Sequence, residues 1–382
     1  MIRNSHFFLL LLMMNWWNVY AEKILFVTGQ FPSITETFIL NQIVELIGRG
    51  HEVYICANGK GNMSKIHSDV KKYNLLSKTF YKTVPRHLAP FDIVYCQFGN
   101  LAFKAVRQYK DLARAIFICF RGTDITTFAK RRPLFYKRLF LYAQRHSLDN
   151  VKYLPVCNYF RRLLMALGCP EQKIVIQSSA IDCDDIIYQK KKYKFSDPIK
   201  ILSVGRLVEK KGREDLLRAF SMVIKRFPFA HLTIVGDGPQ GKKLRKLIGT
   251  LKLQDHVTLY GWATKQEVKK LLSEHHIFVL SSKRARDGNQ EGIPNALKEA
   301  MAAGLPVVST RHSGISELIE HEKTGLLVYQ GDYLALAQCI IQLIRSPETW
   351  EDMTRRARKF VESNYHLPRV IDKLEKLIKE IR

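Results

Sequence analysis

From Lys23 onward, short runs rich in β-branched and aromatic residues alternate with longer stretches whose apolar positions recur every three or four residues. That rhythm marks strand–helix–strand units, in which parallel strands are buried on both faces and helices cover them. In the first half it predicts strands at 24–28, 52–56, 93–96, 115–120, 152–156 and 174–177, with helices at 35–47, 101–109, 133–146 and 159–167. The second half restarts the order, with strands at 200–204, 231–235, 257–260, 277–280, 306–309 and 326–328. Its clearest helix covers 215–227, where Leu216, Leu217, Phe220, Val223, Ile224 and Phe227 share one face. Val370, Ile371, Leu374, Leu377, Ile378 and Ile381 recur at helical spacing, so an amphipathic helix closes the chain over 365–382.

The charged, Pro-terminated stretch around 191–198 reads as a linker between an N-terminal domain at 22–190 and a second at 199–364. A length of 382 residues suits two domains of ordinary size. The expected fold class is α/β, with two Rossmann-like, doubly wound domains. Residues 1–21 stand apart. Arg3, the apolar run 7–14 and the small-residue end at Val19-Tyr20-Ala21 resemble a short secretory signal, yet the run is too short to span a bilayer. A membrane tether, or an upstream start with initiation at Met13 or Met14, is favoured over a cleaved signal.

Composition adds little to this, but charge does. With 46% apolar and 25% charged residues the chain is an ordinary globular one, which excludes disordered, collagenous and multi-span membrane classes. The net charge of +26 favours anionic partners. Residues 1–195 hold 29 basic and 13 acidic side chains, so the first half carries +16 of that excess. Seven cysteines without metal-ligand spacing read as buried free thiols of a reducing compartment.

Two segments carry the chemistry. In Glu291-Gly292-Ile293-Pro294-Asn295-Ala-Leu-Lys-Glu299, Pro294 suits the first position of a helix, whose leading amides form an anion site. Asn295 and Glu299 then share one helix face, and Glu291 precedes it in the loop, so the two carboxylates address opposite ends of an extended ligand. Gly205-Arg206-Leu-Val-Glu-Lys-Lys211-Gly212 follows the strand at 200–204 and puts two cations where α/β sheets bind phosphates.

These segments, with Gly236-Asp-Gly-Pro239, resemble the retaining glycosyltransferases of family 4. The stretches QFPSITETFILNQI, RHSGISELIE and DGNQEGIPNALKEAMAAGLPVVST are similar to the exopolysaccharide and colanic-acid-type members. The resemblance implies the GT-B architecture, two α/β domains facing across a cleft with the donor bound mainly by the second. It implies that Arg206 and Lys211 hold a donor diphosphate, that Glu299 binds the ribose, and that Glu291 and the amides after Gly292 bind sugar hydroxyls. Gly205, Gly236, Ile293, Pro294 and Asn295 complete the donor side, and Gly29, Glu36, Gln97 and Asp124 the acceptor side. The implied reaction moves a hexosyl group from UDP- or GDP-hexose to a saccharide, on a membrane lipid carrier, at the cytoplasmic face of the membrane.

There are departures from the family pattern. Where many members carry His in H-G-x-D, this chain reads Phe120-Arg121-Gly122-Thr123-Asp124, and H-x-H-F-G becomes Tyr95-Cys96-Gln97-Phe98-Gly99. Arg121 therefore stands as a candidate catalytic residue through phosphate or acceptor contact, with a purely structural role as the alternative. The run Gly236-x-Gly238-x-x-Gly241 formally matches a dinucleotide fingerprint and keeps a nicotinamide-dependent oxidoreductase as an alternative, but no acid follows at the required place. A non-catalytic carbohydrate or lipid-surface binding protein is the other alternative. Asp182-Cys-Asp184 imitates a metal-binding D-x-D, and no metal or cofactor is expected there. Lys130, Arg131, Arg132, Lys137 and Arg138, interleaved with Leu134, Phe135, Leu139 and Phe140, suit an anionic lipid surface, whereas no nucleic-acid recognition motif accompanies the charge.

Overall fold

In the computed structural model, which describes residues 21–33, 36–63, 66–194 and 197–381, the alternating runs form two six-stranded sheets. The first contains β1 (Lys23–Phe31), β2 (Glu52–Lys60), β3 (Thr79–Tyr81), β4 (Phe91–Cys96), β5 (Ala113–Phe120) and β6 (Val151–Pro155), in the order β3-β2-β1-β4-β5-β6. The second contains β7 (Lys200–Val204), β8 (His231–Val235), β9 (Val257–Gly261), β10 (Ile277–Leu280), β11 (Val307–Arg311) and β12 (Leu326–Tyr329), in the order β12-β11-β10-β7-β8-β9. The pairings of β1 with β2 and β4, of β7 with β8 and β10, and of β11 with β10 and β12 are all parallel. Both sheets are the Rossmann-like, doubly wound kind expected.

The continuous apolar runs have a simple cause. Every residue of Ile277–Leu280 and of 115–120 is buried, because helices cover both faces of a parallel sheet and leave no polar side. In the second sheet, Leu216, Leu217, Phe220 and Val223 of the helix Arg213–Val223 pack into one core with Ile340, Leu343 and Ile344 of the helix Tyr333–Arg345. All seven cysteines are free and six are fully buried; burial pushes the Cys157 thiol up to about 12 and that of Cys183 to about 11, so both stay protonated and inert.

Compact packing divides the chain into two units: one ends at Gln97 and takes in Lys104–Phe117, the other comprises Phe98–Phe103 and the chain from Ile118 onward. The division falls inside β5.

Three local expectations need correction. Strand β3 was not expected, since three residues are too few to show a period. Residues 174–177 form no strand; Ile174 makes a single bridge to Tyr153, and the segment runs on as extended chain with Val175 N–H and Gln177 N–H donating to Tyr153 O and Pro155 O. The closing helix is Leu367–Lys379, preceded by a separate helix Trp350–Tyr365. Its apolar face is buried as the spacing requires, and Gln177 Nε2 donates to Val370 O at 3.0 Å. The signal-like segment up to Tyr20 and the expected helix start at residue 35 lie outside the described residues.

Candidate active site

The strand order decides where the candidate residues meet. In the second sheet β7 pairs with β10 on one side and β8 on the other, so the order in which strands are added reverses between β7 and β10, and the loops leaving their carboxyl ends diverge around a crevice. Gly205–Gly212 leaves β7, the segment carrying Gln290 and Glu291 follows β10, and His312 follows β11.

Glu291 is at the centre. Its Oε1 lies 2.9 Å from Lys211 Nζ and 3.7 Å from Lys210 Nζ, and its side chain is only 9% exposed. Burial alone raises a carboxyl pKa, but the two ammonium groups outweigh it and hold Glu291 down at about 2. Lys211, itself 13% exposed, is pushed below the ordinary lysine range by burial and by Lys210 and Arg213, with Glu291 opposing. Lys211 therefore folds inward from its loop, because a buried carboxylate faces it. Arg206, in contrast, is exposed. Around Glu291 the cations Lys210, Lys211 and buried Arg213 outnumber the one carboxylate, and Arg206 lies exposed in the same loop.

The glycines serve close backbone contact. Gly236 has φ 130°, and a Cβ there would sit 2.2 Å from Gly205 O; at Gly238 it would meet the Leu207 backbone at 2.6 Å. Leu207 N–H also donates to Asp237 O at 2.9 Å, so the Gly236–Gly241 run is packed against the Gly205 loop, which accounts for its glycines without a dinucleotide.

Pro294 is the N-cap (φ −63°, ψ 126°) of the helix Asn295–Ala302, not its first residue as expected, and no side chain caps the helix. Leu297 N–H already donates to Pro294 O at 3.2 Å, which leaves the Asn295 and Ala296 amides without a partner among the described residues. Gly292 and Ile293 are buried beneath it. Glu299 is partly exposed, no hydrogen bond or ion pair among the described residues engages its carboxylate, and burial raises its pKa against Lys265, Lys298 and Lys269.

Arg121 follows β5, and its Nη1 donates to Ser179 Oγ at 3.1 Å. Asp124 supports that loop: its carboxylate accepts from Gly122 N–H at 2.8 Å, Gly99 N–H at 2.9 Å and Arg121 N–H at 3.1 Å. Burial pushes its pKa up while those amides oppose the rise, so it orders the backbone that carries Arg121. Gly29 lies near the end of β1; Glu36 is the N-cap residue of the helix Thr37–Gly48 and lines a small cavity with Thr28 and His67; Gln97 is fully buried, its N–H bonded to Val27 O.

Several participants escaped the sequence reading. His312 Nε2 accepts from Glu291 N–H at 3.3 Å and its Nδ1 faces Gln330 Oε1 at 3.0 Å, so the ring is neutral with its proton on Nδ1; burial holds its pKa low. Gln290 joins two segments: Lys210 Nζ donates to its carbonyl and Tyr159 OH to its Oε1. Arg213, fully buried, donates to Ser203 Oγ. Lys298, inside the Glu291–Glu299 segment, is fully buried; its Nζ donates to Ser179 O at 2.5 Å and Asn295 Oδ1 at 3.1 Å and lies 4.8 Å over the Tyr365 ring. Burial lowers its pKa to about 7, with Glu299 opposing. The available signal for His312 and Arg213 was position, a polar residue just past a strand end or a loop glycine; nothing in the sequence marked Lys298 as buried.

Among the described residues no group of three or more His, Cys, Asp or Glu is placed to hold a metal ion. Asp182 accepts from Asp184 N–H, and Asp184 faces His366 at 3.5 Å.

Comparison with known proteins adds the family. The pattern described as Glycosyltransferase Family 4 matches residues 35–185, and that of Glycosyl transferases group 1 matches residues 184–360. The amylovoran biosynthesis glycosyltransferase AmsK of Erwinia amylovora is 33% identical, covering 90% of this chain and 96% of its own. The chain belongs to glycosyltransferase family 4. WcaL of Salmonella typhimurium, named for colanic acid biosynthesis, is 31% identical over 94% of this family 4 chain and 100% of its own. Among solved structures, Anabaena Alr3699/HepE in complex with UDP has a TM-score of 0.75 at 16% identity, covering 94% of this chain and 100% of that one, a likeness of fold. The two Rossmann-like sheets are thus those of a GT-B glycosyltransferase. No helix among the described residues is long and apolar enough to cross a membrane.

Proposed function

We propose that this family 4 glycosyltransferase is a retaining enzyme that moves a hexosyl group from UDP- or GDP-hexose to a saccharide on a membrane lipid carrier, in exopolysaccharide synthesis at the cytoplasmic face of the membrane. The observation that carries the reading is Glu291, kept ionised between Lys210 and Lys211, followed by a helix start whose Asn295 and Ala296 amides, like the Glu299 carboxylate, have no partner among the described residues. In this reading Arg206, Lys211 and the amides of the helix Asn295–Ala302 hold the diphosphate and stabilise the charge that develops on it as the glycosidic bond breaks. Glu299 accepts from the ribose hydroxyls. Glu291 accepts from hydroxyls of the sugar, and the amides after Gly292 donate to them. Arg121 stands on the acceptor side, oriented by Ser179. The cations and helix amides take the place of a divalent metal, so no cofactor is required.

The relatives named for amylovoran and colanic acid biosynthesis support the product class, and the fold neighbours titled with UDP and UDP-glucose support the donor class. A donor panel read by released nucleotide, followed by NMR of the anomeric proton in the product, tests it. Transfer from a UDP- or GDP-hexose with the donor's anomeric configuration kept is expected. An inverted product, or no nucleotide release from any donor, would refute it.

A further inference from the structure

We propose that the outward face of the helix Pro133–Arg145 docks on an anionic lipid bilayer. This deepens the membrane-facing reading above and rests on it only for why docking matters to the enzyme.

The inward face of the helix is fully used. Tyr136, Leu139, Phe140 and Ala143 are buried, and Tyr136 and Phe140 join a ring cluster with Phe120, Phe128, Phe135 and Tyr153. The expectation that Leu139 and Phe140 meet lipid is thereby corrected. What remains outside is a different stripe, Leu134, Lys137, Arg138, Leu141 and Arg145, all exposed. At 3.6 residues per turn these five fall within about 100° of arc, the leucines near the middle, Lys137 on one flank and Arg138 on the other. Leu134 is 57% and Leu141 42% exposed.

Charge makes this stripe unusual. No acidic residue occurs from Ile125 to Leu148, while Lys130, Arg131 and Arg132 lead into the helix with exposed side chains. None of these cations is ion-paired among the described residues. A face that only meets water normally mixes both signs, which lowers self-repulsion. Two leucines ringed by cations instead match a bilayer surface, where phosphates lie at the height of the cations and the acyl boundary receives the leucines. A second copy of this chain fits poorly, because it would bring two sets of like charges together. Nucleic acid has no use for the leucines.

The test uses the full chain in flotation with vesicles of phosphatidylcholine alone and of phosphatidylcholine with about one third phosphatidylglycerol. Binding to the anionic vesicles only is expected. Lys137→Ala with Arg138→Ala should weaken it roughly 30-fold, since each surface cation contributes about 1 kcal/mol. Leu134→Ser with Leu141→Ser should weaken it roughly fivefold through the lost apolar contact. Both variants should keep wild-type donor turnover on a water-soluble acceptor. Equal binding to neutral vesicles, or wild-type binding by either double variant in the full chain, overturns the proposal, the latter pointing to residues 1–21. A leucine variant that converts a dimer to a monomer by light scattering, with vesicle binding unchanged, overturns it in favour of self-association. Vesicle binding without turnover by any donor would refute the enzymatic reading and leave the docking face; turnover without vesicle binding would do the reverse.

Discussion

Replacing Lys211 with Met removes the ammonium group nearest to Glu291 and leaves a carboxylate that is 9% exposed with Lys210, at 3.7 Å, as its remaining ion pair among the described residues. The size of the effect follows from the depressed pKa. A carboxyl held at about 2 instead of its ordinary 4.5 is stabilised in its ionised form by about 3 kcal/mol, and we assign about 2 kcal/mol of it to Lys211, which is closer. Because the pKa is lowered in the folded state, this stabilisation is fully present above about pH 4.5 and disappears as pH falls through about 2. At neutral pH Lys211→Met should therefore lower Tm by about 2 to 5 °C. The deficit should shrink as the medium is acidified below about pH 4.5. Glu291→Gln should cost a similar amount, since it strands two buried cations. The double variant should cost less than the two singles together, by about 1.5 kcal/mol or more, because neither charge is then left without its partner. The assay is a four-protein calorimetric cycle repeated across pH. Additive single effects, or a Lys211→Met deficit that does not change between neutral and acid conditions, would refute the buried-pair reasoning.

Arg206→Ala should lower turnover about 10- to 1,000-fold, the range for losing one preorganised charge-stabilising group, with Tm unchanged because the side chain is exposed; wild-type turnover would remove it from the diphosphate site. Lys298→Met provides a non-titrating reference for a lysine whose folded pKa is lowered to about 7. The cost of burying that charge is full below about pH 7 and relieved towards the unfolded value of about 10.5, so wild-type Tm should rise relative to Lys298→Met over that window, and a constant difference would contradict the burial argument. Sugar transfer should persist in excess chelator, since fixed cations and helix amides take the metal's part; complete loss with rescue by manganese would overturn this.

The strand–helix alternation and the residues of the Gly205 and Glu291 loops were legible from the amino acids alone, because both are local: burial on two faces forces continuous apolar runs, and the resemblance to family 4 rests on short loops that follow strands. That resemblance was equally legible, since motif spacing survives where overall identity does not. Tertiary structure decided the rest. Whether Lys211 meets solvent or Glu291 depends on β7 and β10 pairing across the switch point, a neighbourhood set by residues about 80 positions apart. The burial of Lys298 depends on Ser179 and Tyr365 converging on it, which no local spacing encodes. The same holds for the helix Pro133–Arg145: its sequence grouped Leu134, Phe135, Leu139 and Phe140 as one apolar set, and only packing against Phe120 and Tyr153 took Leu139 and Phe140 inside while Leu134 stayed outside.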